Sequence, residues 1–323
     1  MAALTWPGYI AKSPRSSGLR SPTVKTWLHS SGEHAKIEPH KLPTHTFSGG
    51  VMQLSCLPVS FFSDIIEGRM SIGEWARMGA ELGLDAIDLS TLFLPDPSPQ
   101  ALAKIRQDIE TASMQVAMVT SYPDFTHPDP KQRERELALE QQVVATAAFL
   151  GAKLVRVTAG QAHPETGRKE GIAWAVEGLR KLVETVGNLG PRLVYENHGK
   201  PGAWRYTDFS QPPDIFLEIV RNTADIGLGI NFDTANATAF AEDPLALLEQ
   251  VIERVVSIHA ADTAVRGELR PVLLGTGVTP FGALFSRLHQ AGWDGWICIE
   301  EASRRGREGV EAAVRFVRKT WGQ

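Results

Sequence analysis

The amino-acid sequence predicts an α/β protein built on a single (β/α)8 TIM barrel that spans residues 49–323. Eight short apolar runs alternate with eight longer helical patterns, and the alternation extends over about 250 residues, the usual size of such a barrel. A doubly wound open sheet is the competing architecture. It is disfavoured because the first apolar run is not followed by a glycine-rich G-x-G-x-x-G phosphate loop.

The strand predictions rest on short runs of apolar and β-branched residues bounded by polar or turn-forming residues. Strictly one helical pattern separates each run from the next, which is typical of a parallel sheet covered by helices. In chain order, the predicted strands cover residues 51–56, 85–90, 115–121, 153–159, 192–198, 227–233, 255–260 and 296–301.

The helix predictions rest on the spacing of apolar residues and on the residues at the ends of each pattern. Asp243 before Pro244 indicates a helix start, whereas Gly83 and Gly151 indicate helix ends, because Asp caps the first turn and Gly tolerates the left-handed backbone that follows the last one. In chain order, the predicted helices cover residues 72–83, 99–112, 131–151, 171–190, 214–224, 243–253, 281–292 and 307–321.

Residues 1–48 differ in composition from the rest of the chain. They contain six Lys or Arg but only Glu33 and Glu38 as acids, they are rich in Ser and Pro, and they show no periodic apolar pattern. We interpret this segment as a poorly ordered N-terminal extension. Its origin stays open between an organellar transit peptide and a non-native start that precedes the natural one near Met52.

The charge balance and the cysteine content limit the partners and the compartment. A net charge of -4 provides no basic field for a phosphate backbone, so nucleic acid is a disfavoured partner. Cys56 and Cys298 lie in apolar runs and suit a reducing compartment. No apolar run reaches the roughly 18 residues of a membrane span. The sequence therefore predicts a cytoplasmic protein without a membrane partner, and it leaves homo-oligomerisation open.

The last four predicted strands each end in a residue that can bind a metal ion. These residues are Glu196, Asp233, His259 and Glu300. Because the carboxyl ends of barrel strands meet at one face, and because alternate side chains of a strand point inward, the four side chains are expected to converge.

The same alternation assigns the other residues of these strands. Inward positions are expected for His198, Asn231, Gly229, Ser257 and Cys298. The helix layer is expected to receive Leu193, Tyr195, Asn197, Ile230, Phe232, Val256, Ile258, Ile297 and Ile299.

Three carboxylates and one imidazole in close contact need a counter-charge, because like charges raise one another's pKa. One divalent cation would supply it. The oxygen and nitrogen donors suit Mn²⁺, Mg²⁺, Co²⁺ or Zn²⁺, with Mn²⁺ preferred. Taken singly, each residue has a plainer explanation, since an Asp at a strand end often caps the next helix. The four in register on consecutive strands favour a metal site.

These motifs resemble the xylose isomerase-like barrel superfamily, specifically its sugar phosphate isomerase/epimerase branch. The matching segments are YENHG (195–199), NFDTAN (231–236), IHAADT (258–263) and LLGTGVTPFGALFSRLHQAGWDGWICIEEAS (273–303). The resemblance implies that Glu196, Asp233, His259 and Glu300 bind the metal, and that Glu196 and Glu300 are the catalytic pair. Many relatives carry a His where this chain has Asn236, and that departure argues against the nuclease activity found elsewhere in the superfamily.

The function implied is a divalent-metal-dependent isomerase or epimerase of carbohydrate metabolism, which moves a proton of a ketose or keto sugar through a metal-bound enediolate. The alternative is a metal-dependent lyase, of the keto-inositol dehydratase or 3-keto C-glycoside deglycosidase type. A metal-free glycosidase and a non-catalytic carbohydrate-binding barrel are the more distant alternatives. The predicted partner is a small sugar, preferentially unphosphorylated. The predicted substrate-binding residues are His198, Asn236, Arg156 and Asp262.

Overall fold

The computed structural model describes residues 52–322. Within them the chain folds into a nearly closed barrel of eight parallel strands with helices between them, as the sequence predicts. The predicted N-terminal extension, residues 1–48, lies outside the described residues.

The barrel strands follow the predicted runs closely. Neighbouring strands pair in the order β1-β10-β7-β6-β5-β4-β3-β2, and backbone N–H groups of Asp85 and Ala86 donate to Leu54 O where β1 meets β2. The strands are β1 (Gln53–Leu57), β2 (Ile87–Ser90), β3 (Val116–Thr120), β4 (Leu154–Val157), β5 (Arg192–Glu196), β6 (Gly229–Asp233), β7 (Val255–Ala260) and β10 (Trp296–Glu300).

The helices also agree with the prediction, with two short additions. The α-helices are α1 (Phe62–Ile66), α2 (Ile72–Glu81), α3 (Pro99–Thr111), α4 (Pro130–Phe149), α5 (Arg168–Val186), α6 (Pro213–Asn222), α7 (Thr234–Phe240), α8 (Pro244–Glu249), α9 (Phe281–Gln290) and α10 (Gly306–Trp321). The sequence analysis did not include α1 and α7, which occupy loops at the carboxyl ends of β1 and β6. It also did not include a small antiparallel pair, β8 (Asp262–Thr263) with β9 (Pro271–Val272).

Local signals at helix ends explain why the boundaries were predictable. Asp243 caps α8, where its Oδ1 accepts from Leu245 N at 2.9 Å, and a side-chain acceptor there satisfies an N–H that the helix leaves unpaired. Gly83 and Gly151 follow α2 and α4 with φ of +78° and +74°. A left-handed backbone of this kind is strained for other residues, so glycine ends these helices at little cost.

Two apolar layers confirm most of the predicted side-chain alternation. Outward residues such as Tyr195, Phe232 and Ile299 belong to the large core between the barrel and the helices. Val194, Trp296 and Cys298 belong to a smaller cluster inside the barrel. Both faces of the strands are therefore apolar near the middle of the barrel. Polar residues occupy the inward positions near the carboxyl ends.

The prediction for Val256 is wrong. Between β6 and β7, Ile230 pairs with Val255 and Asn231 pairs with Ser257, so Val256 is an extra residue without a partner on β6. This bulge reverses the alternation before Ser257, and Val256 packs against the cluster inside the barrel. Beyond the bulge, Ser257 and His259 keep their predicted inward orientation because the register resumes.

None of the helices within residues 52–322 is long and apolar enough to cross a membrane.

A buried acid joins α4 to the end of β3. Glu140 is only 3% exposed, and Ser121 Oγ lies 2.5 Å from its Oε1 and 2.8 Å from Arg156 O. One hydroxyl proton cannot serve both acceptors, so the carboxyl group gains little hydrogen bonding to offset its burial. Burial raises the pKa of Glu140 to about 7, although the Ser121 hydroxyl opposes the rise.

We expect the substitution Glu140→Gln to relieve a pH-dependent cost. A pKa raised from 4.5 to about 7 means that the folded state holds the proton more tightly, so wild-type stability falls as the pH rises through this window. The loss approaches about 3 kcal/mol, because each pKa unit corresponds to about 1.4 kcal/mol. Urea unfolding of both proteins at pH 5 and pH 8 measures it. A difference in unfolding free energy that stays constant between the two pH values would contradict the assignment.

Candidate metal centre

Four ionisable side chains meet at the carboxyl end of the barrel. One ligand atom from each of Glu196, Asp233, His259 and Glu300 lies within 4.8 Å of the other three. The residues end β5, β6 and β10 or stand one position before the end of β7, and these strands are neighbours in the sheet. The structure therefore brings together all four residues that the sequence analysis selected as metal ligands.

His259 faces two of the carboxylates. Its Nδ1 lies 2.5 Å from Glu196 Oε1 and 3.2 Å from Glu300 Oε2, yet neither ring nitrogen forms a hydrogen bond of acceptable geometry with any described residue. A buried imidazole normally has a hydrogen-bond partner. An unpaired nitrogen that faces two carboxylate oxygens is the arrangement expected of residues that share a cation.

Arg156 supplies one positive charge to this cluster. The guanidinium is 2% exposed, and its Nε lies 3.1 Å from Glu196 Oε2. Its Nη1 donates to Ser121 O at 2.9 Å, and the group also stacks over the Tyr122 ring, 4.6 Å from its centroid. Arg156 is thus an internal counter-ion of Glu196, and these contacts leave only part of its donor capacity for a substrate.

The Glu196 carboxylate is held from both sides. Asn231 Nδ2 donates to Oε1 at 2.6 Å, and Ser257 Oγ in turn donates to Asn231 Oδ1 at 2.7 Å. Burial opposes ionisation, but Arg156 and His259 outweigh it and lower the pKa of Glu196 to about 2. Glu196 is therefore ionised at neutral pH.

Asp233 combines a place in the cluster with a role as a helix cap. Its Oδ1 accepts from Asn236 N at 2.6 Å at the start of α7, and its backbone is fixed by Asn197, which bonds to both Asp233 N and Asp233 O at 2.8 Å. Burial, together with the charges of Glu300 and Glu196, raises the pKa of Asp233. The carboxyl group therefore needs a further positive charge to stay ionised.

The cluster fits a divalent cation on grounds of charge and donor type. Three carboxylates and the Arg156 guanidinium leave two negative charges, which one divalent ion would neutralise. Carboxylate oxygens combined with one imidazole suit first-row divalent metals and Mg²⁺. The identity of the metal, including the preference for Mn²⁺, stays a prediction.

The other three residues predicted to bind substrate lie in different surroundings. His198 lies beside the cluster in an aromatic setting, 6.5 Å from Tyr122 and 6.4 Å from Trp204 between ring centroids. Asn236 is buried in the first turn of α7, and its Oδ1 has no hydrogen-bond partner among residues 52–322. Asp262 is not one of the four clustered residues, and its oxygens accept from four backbone N–H groups, those of Thr263, Gly275, Gly277 and Thr279.

Asp262 therefore holds the loop between β7 and α9 in place. A carboxylate with four backbone donors has little capacity left for a substrate, so these contacts indicate a role in fixing the loop.

Several residues that shape the site were not predicted from the sequence. Asn231 was assigned an inward position but no contact with Glu196, and Tyr122 and Asp208 were not considered. Tyr122 and Asp208 stand in loops, where no strand periodicity indicates direction. For Asn231 a signal existed, because an amide two residues before Asp233 on an inward face needs a polar partner.

One glutamine ties together three loops at the mouth of the barrel. Gln161, in the loop after β4, donates through Nε2 to Asp124 Oδ2 at 3.0 Å in the loop after β3. Its Oε1 accepts from Arg205 N at 2.9 Å and Tyr206 N at 3.2 Å in the loop after β5. These bonds hold the side of the mouth that carries Trp204.

The chain belongs to the family described as xylose isomerase-like TIM barrel, whose model matches residues 76–320. The resemblance inferred from the sequence motifs is thereby confirmed. The match begins in α2 and ends in α10, so it includes all four residues of the cluster.

Relatives in this family carry different activities in their names. The inosose dehydratase of Geobacillus kaustophilus (strain HTA426) is 25% identical over 281 residues, which cover 77% of this chain and 86% of that protein. The putative hydroxypyruvate isomerase of Streptomyces coelicolor (strain ATCC BAA-471 / A3(2) / M145) is 25% identical over 249 residues, which cover 73% of this chain and 87% of that protein.

A crystal structure of the IOLI protein with a bound zinc atom has the same fold. The two structures align with a TM-score of 0.69 and 18% sequence identity, over 84% of this chain and 98% of that chain.

We expect a divalent cation to stabilise the protein through these four residues. Mn²⁺ at about 100 times its dissociation constant adds about 2.7 kcal/mol to the unfolding free energy, which raises Tm by roughly 5 °C. Glu300→Gln removes one of the predicted ligands and should abolish most of the rise. Differential scanning calorimetry of protein treated with a chelator, with and without added Mn²⁺, measures it.

Glu301→Gln is the matched control. Glu301 is the next residue along the chain, but it is not one of the four clustered residues, and its Oε1 accepts from Ser303 N at 2.9 Å in the segment that precedes α10. It should keep the Mn²⁺-dependent rise whatever its own stability. Equal rises in wild type and Glu300→Gln would show that the cation binds elsewhere.

Proposed function

We propose that this protein is a divalent-metal-dependent isomerase or epimerase that acts on a ketose or keto sugar by proton transfer. The observation that carries the proposal is the convergence of Glu196 and Glu300 with Asp233 and His259, within 4.8 Å, at the carboxyl end of the barrel. In TIM barrels this face holds the active site. The family membership and the names of the relatives support the sugar class.

Glu196 and Glu300 differ in a way that suits different roles. The Glu300 side chain is 30% exposed, whereas the Glu196 side chain is completely buried. Glu300 therefore reaches the mouth and is the group that removes the proton beside the carbonyl. Glu196 is held ionised by Arg156, so it first accepts a proton from a hydroxyl of the substrate and then returns that proton to carbon on the other side, while Glu300 gives the proton it has taken to the oxygen that lost one.

The reaction needs stabilisation of negative charge, because removing a proton beside a carbonyl leaves an enediolate. A bound divalent ion supplies that stabilisation as a Lewis acid. The chain contributes the remaining requirements. Asn231 and Arg156 fix the orientation of Glu196, and the Asp233 backbone is fixed by Asn197.

A metal-dependent lyase is the second candidate. The specific observation in its favour is the 25% identity to an inosose dehydratase over 77% of this chain. Elimination from a keto sugar begins with the same proton removal by Glu300, and it differs only in the departure of a hydroxyl or an aglycone. Because both reactions begin with the same proton removal, the two acids are compatible with either isomerisation or elimination, and the product identifies the reaction.

Incubation of the metal-loaded protein with a panel of ketoses and 3-keto glycosides in D₂O tests the proposal. Proton transfer predicts deuterium at the carbon beside the carbonyl in an isomerised product, detected by NMR. Release of water or of an aglycone would establish the lyase instead. An isomerised product without deuterium would indicate a hydride shift, and turnover that survives a strong chelator would indicate a metal-free hydrolase.

Substitution of the two acids tests their roles. Glu300→Gln and Glu196→Gln should each lower kcat by roughly 10²- to 10⁴-fold, the usual contribution of a positioned acid or base. Glu301→Gln, the control, should retain wild-type kcat. Sugar binding without turnover in the wild type would identify the protein as a carbohydrate-binding barrel and would refute the enzymatic proposal.

A further inference from the structure

A buried carboxylate oxygen of Asp208 faces His198. Asp208 is completely buried, and its Oδ2 lies 3.7 Å from His198 Nδ1. Neither of these two atoms has a hydrogen-bond partner among the described residues. Two complementary buried groups that face one another without other partners can each be satisfied by a small rotation of the ring that closes the gap.

The other oxygen of Asp208 is already committed. Oδ1 accepts from both the backbone N and the Oγ of Ser210, each at 2.7 Å, and Asp208 N donates to Gly199 O at 2.6 Å. The carboxylate therefore cannot turn without losing the Ser210 bonds. This anchoring aims Oδ2 at His198 and leaves it as an acceptor.

The second nitrogen of His198 has a different environment. The side chain is 13% exposed, and Nε2 forms no hydrogen bond in the part of the chain that the structure describes, nor is it among the buried unpaired atoms there. Nε2 is therefore the nitrogen that is open to the mouth. It lies on the side of the barrel lined by Tyr122 and Trp204.

We infer that Asp208 is a positioning residue that holds His198 in a single tautomer, with the proton on Nδ1 and an unprotonated Nε2 facing the substrate. In a neutral imidazole one nitrogen donates and the other accepts. An acceptor-only carboxylate behind Nδ1 places the proton there, as second groups commonly do for functional histidines.

The tautomer of His198 determines which chemical groups of a substrate can bind to its Nε2. An unprotonated Nε2 accepts from a hydroxyl, and it leaves acceptor-only oxygens, such as those of a carboxylate or a phosphate, without a donor. The subsite thus selects an uncharged polyol end beside the metal centre. The selection of an uncharged substrate group rests on the proposed function. The assignment of the His198 tautomer does not depend on it.

Nitrogen-detected NMR of protein labelled with ¹⁵N-histidine tests the tautomer without any substrate. With the imidazole in its neutral form, the wild type should show the proton of His198 on Nδ1. His198→Gln identifies the resonance by its loss. A proton on Nε2 in the wild type would overturn the inference, whatever the activity of the protein.

The substitution Asp208→Asn should reverse the tautomer of His198 without changing the volume of the side chain at position 208. The amide oxygen keeps the Ser210 bonds, so the amide nitrogen takes the place of Oδ2 and donates to Nδ1, which moves the ring proton to Nε2. Tyr195→Phe is the matched control. Burial and then the charge of Asp208 raise the pKa of the Tyr195 phenol, so this change removes a neighbouring hydroxyl but leaves Asp208, and the tautomer should not change.

Calorimetric binding of D-glucitol and D-gluconate to the metal-loaded protein tests the subsite. These probes differ at one end, a hydroxymethyl group against a carboxylate. Asp208→Asn should shift the ratio of their affinities by roughly tenfold toward gluconate, since a polar group left without its hydrogen-bond partner weakens binding by about that factor. An unchanged ratio, or no binding of glucitol by the wild type, would overturn the subsite, even if the tautomer is confirmed.

Discussion

The electrostatic cost of three carboxylates in one largely buried cluster is the constraint on which the rest of the site depends. Charges taken out of water need partners, because the protein interior screens them poorly. Arg156 offsets Glu196 from inside the barrel, and the Asn231–Ser257 pair supplies hydrogen bonds to the same carboxylate. The Asp233 carboxylate accepts from the backbone N of Asn236, and the negative charge that remains in the cluster is what would attract a cation.

Much of this arrangement was predictable from the sequence, because it depends on regular strands. Period-two alternation assigned Glu196, Asp233 and Glu300 to one interior, and the parallel order of the barrel placed their strand ends side by side. The four clustered residues could be predicted without any knowledge of the loops, because all four lie on strands. Family resemblance added chemistry to a set of residues that the alternation had already selected.

The remainder was not predictable, for identifiable physical reasons. A single extra residue at Val256 reversed the alternation locally, and a bulge of this kind leaves no reliable trace in hydropathy. Asp208 stands in a loop and Asp262 in the two-residue strand β8 outside the barrel, where the direction of a side chain depends on hydrogen bonds to distant segments. The partner of Arg156 is Glu196 on the neighbouring strand β5, and the register that brings the two side chains together is not expressed in a linear sequence.

The hydrogen bonds of Gln161 affect how the protein would bind a ligand. By linking the loops after β3, β4 and β5, it orders one wall of the mouth before any molecule arrives. A wall that is already ordered loses little conformational entropy on binding. The wall would also exclude a ligand that is too large to fit beside it, because the three linked loops can move only together.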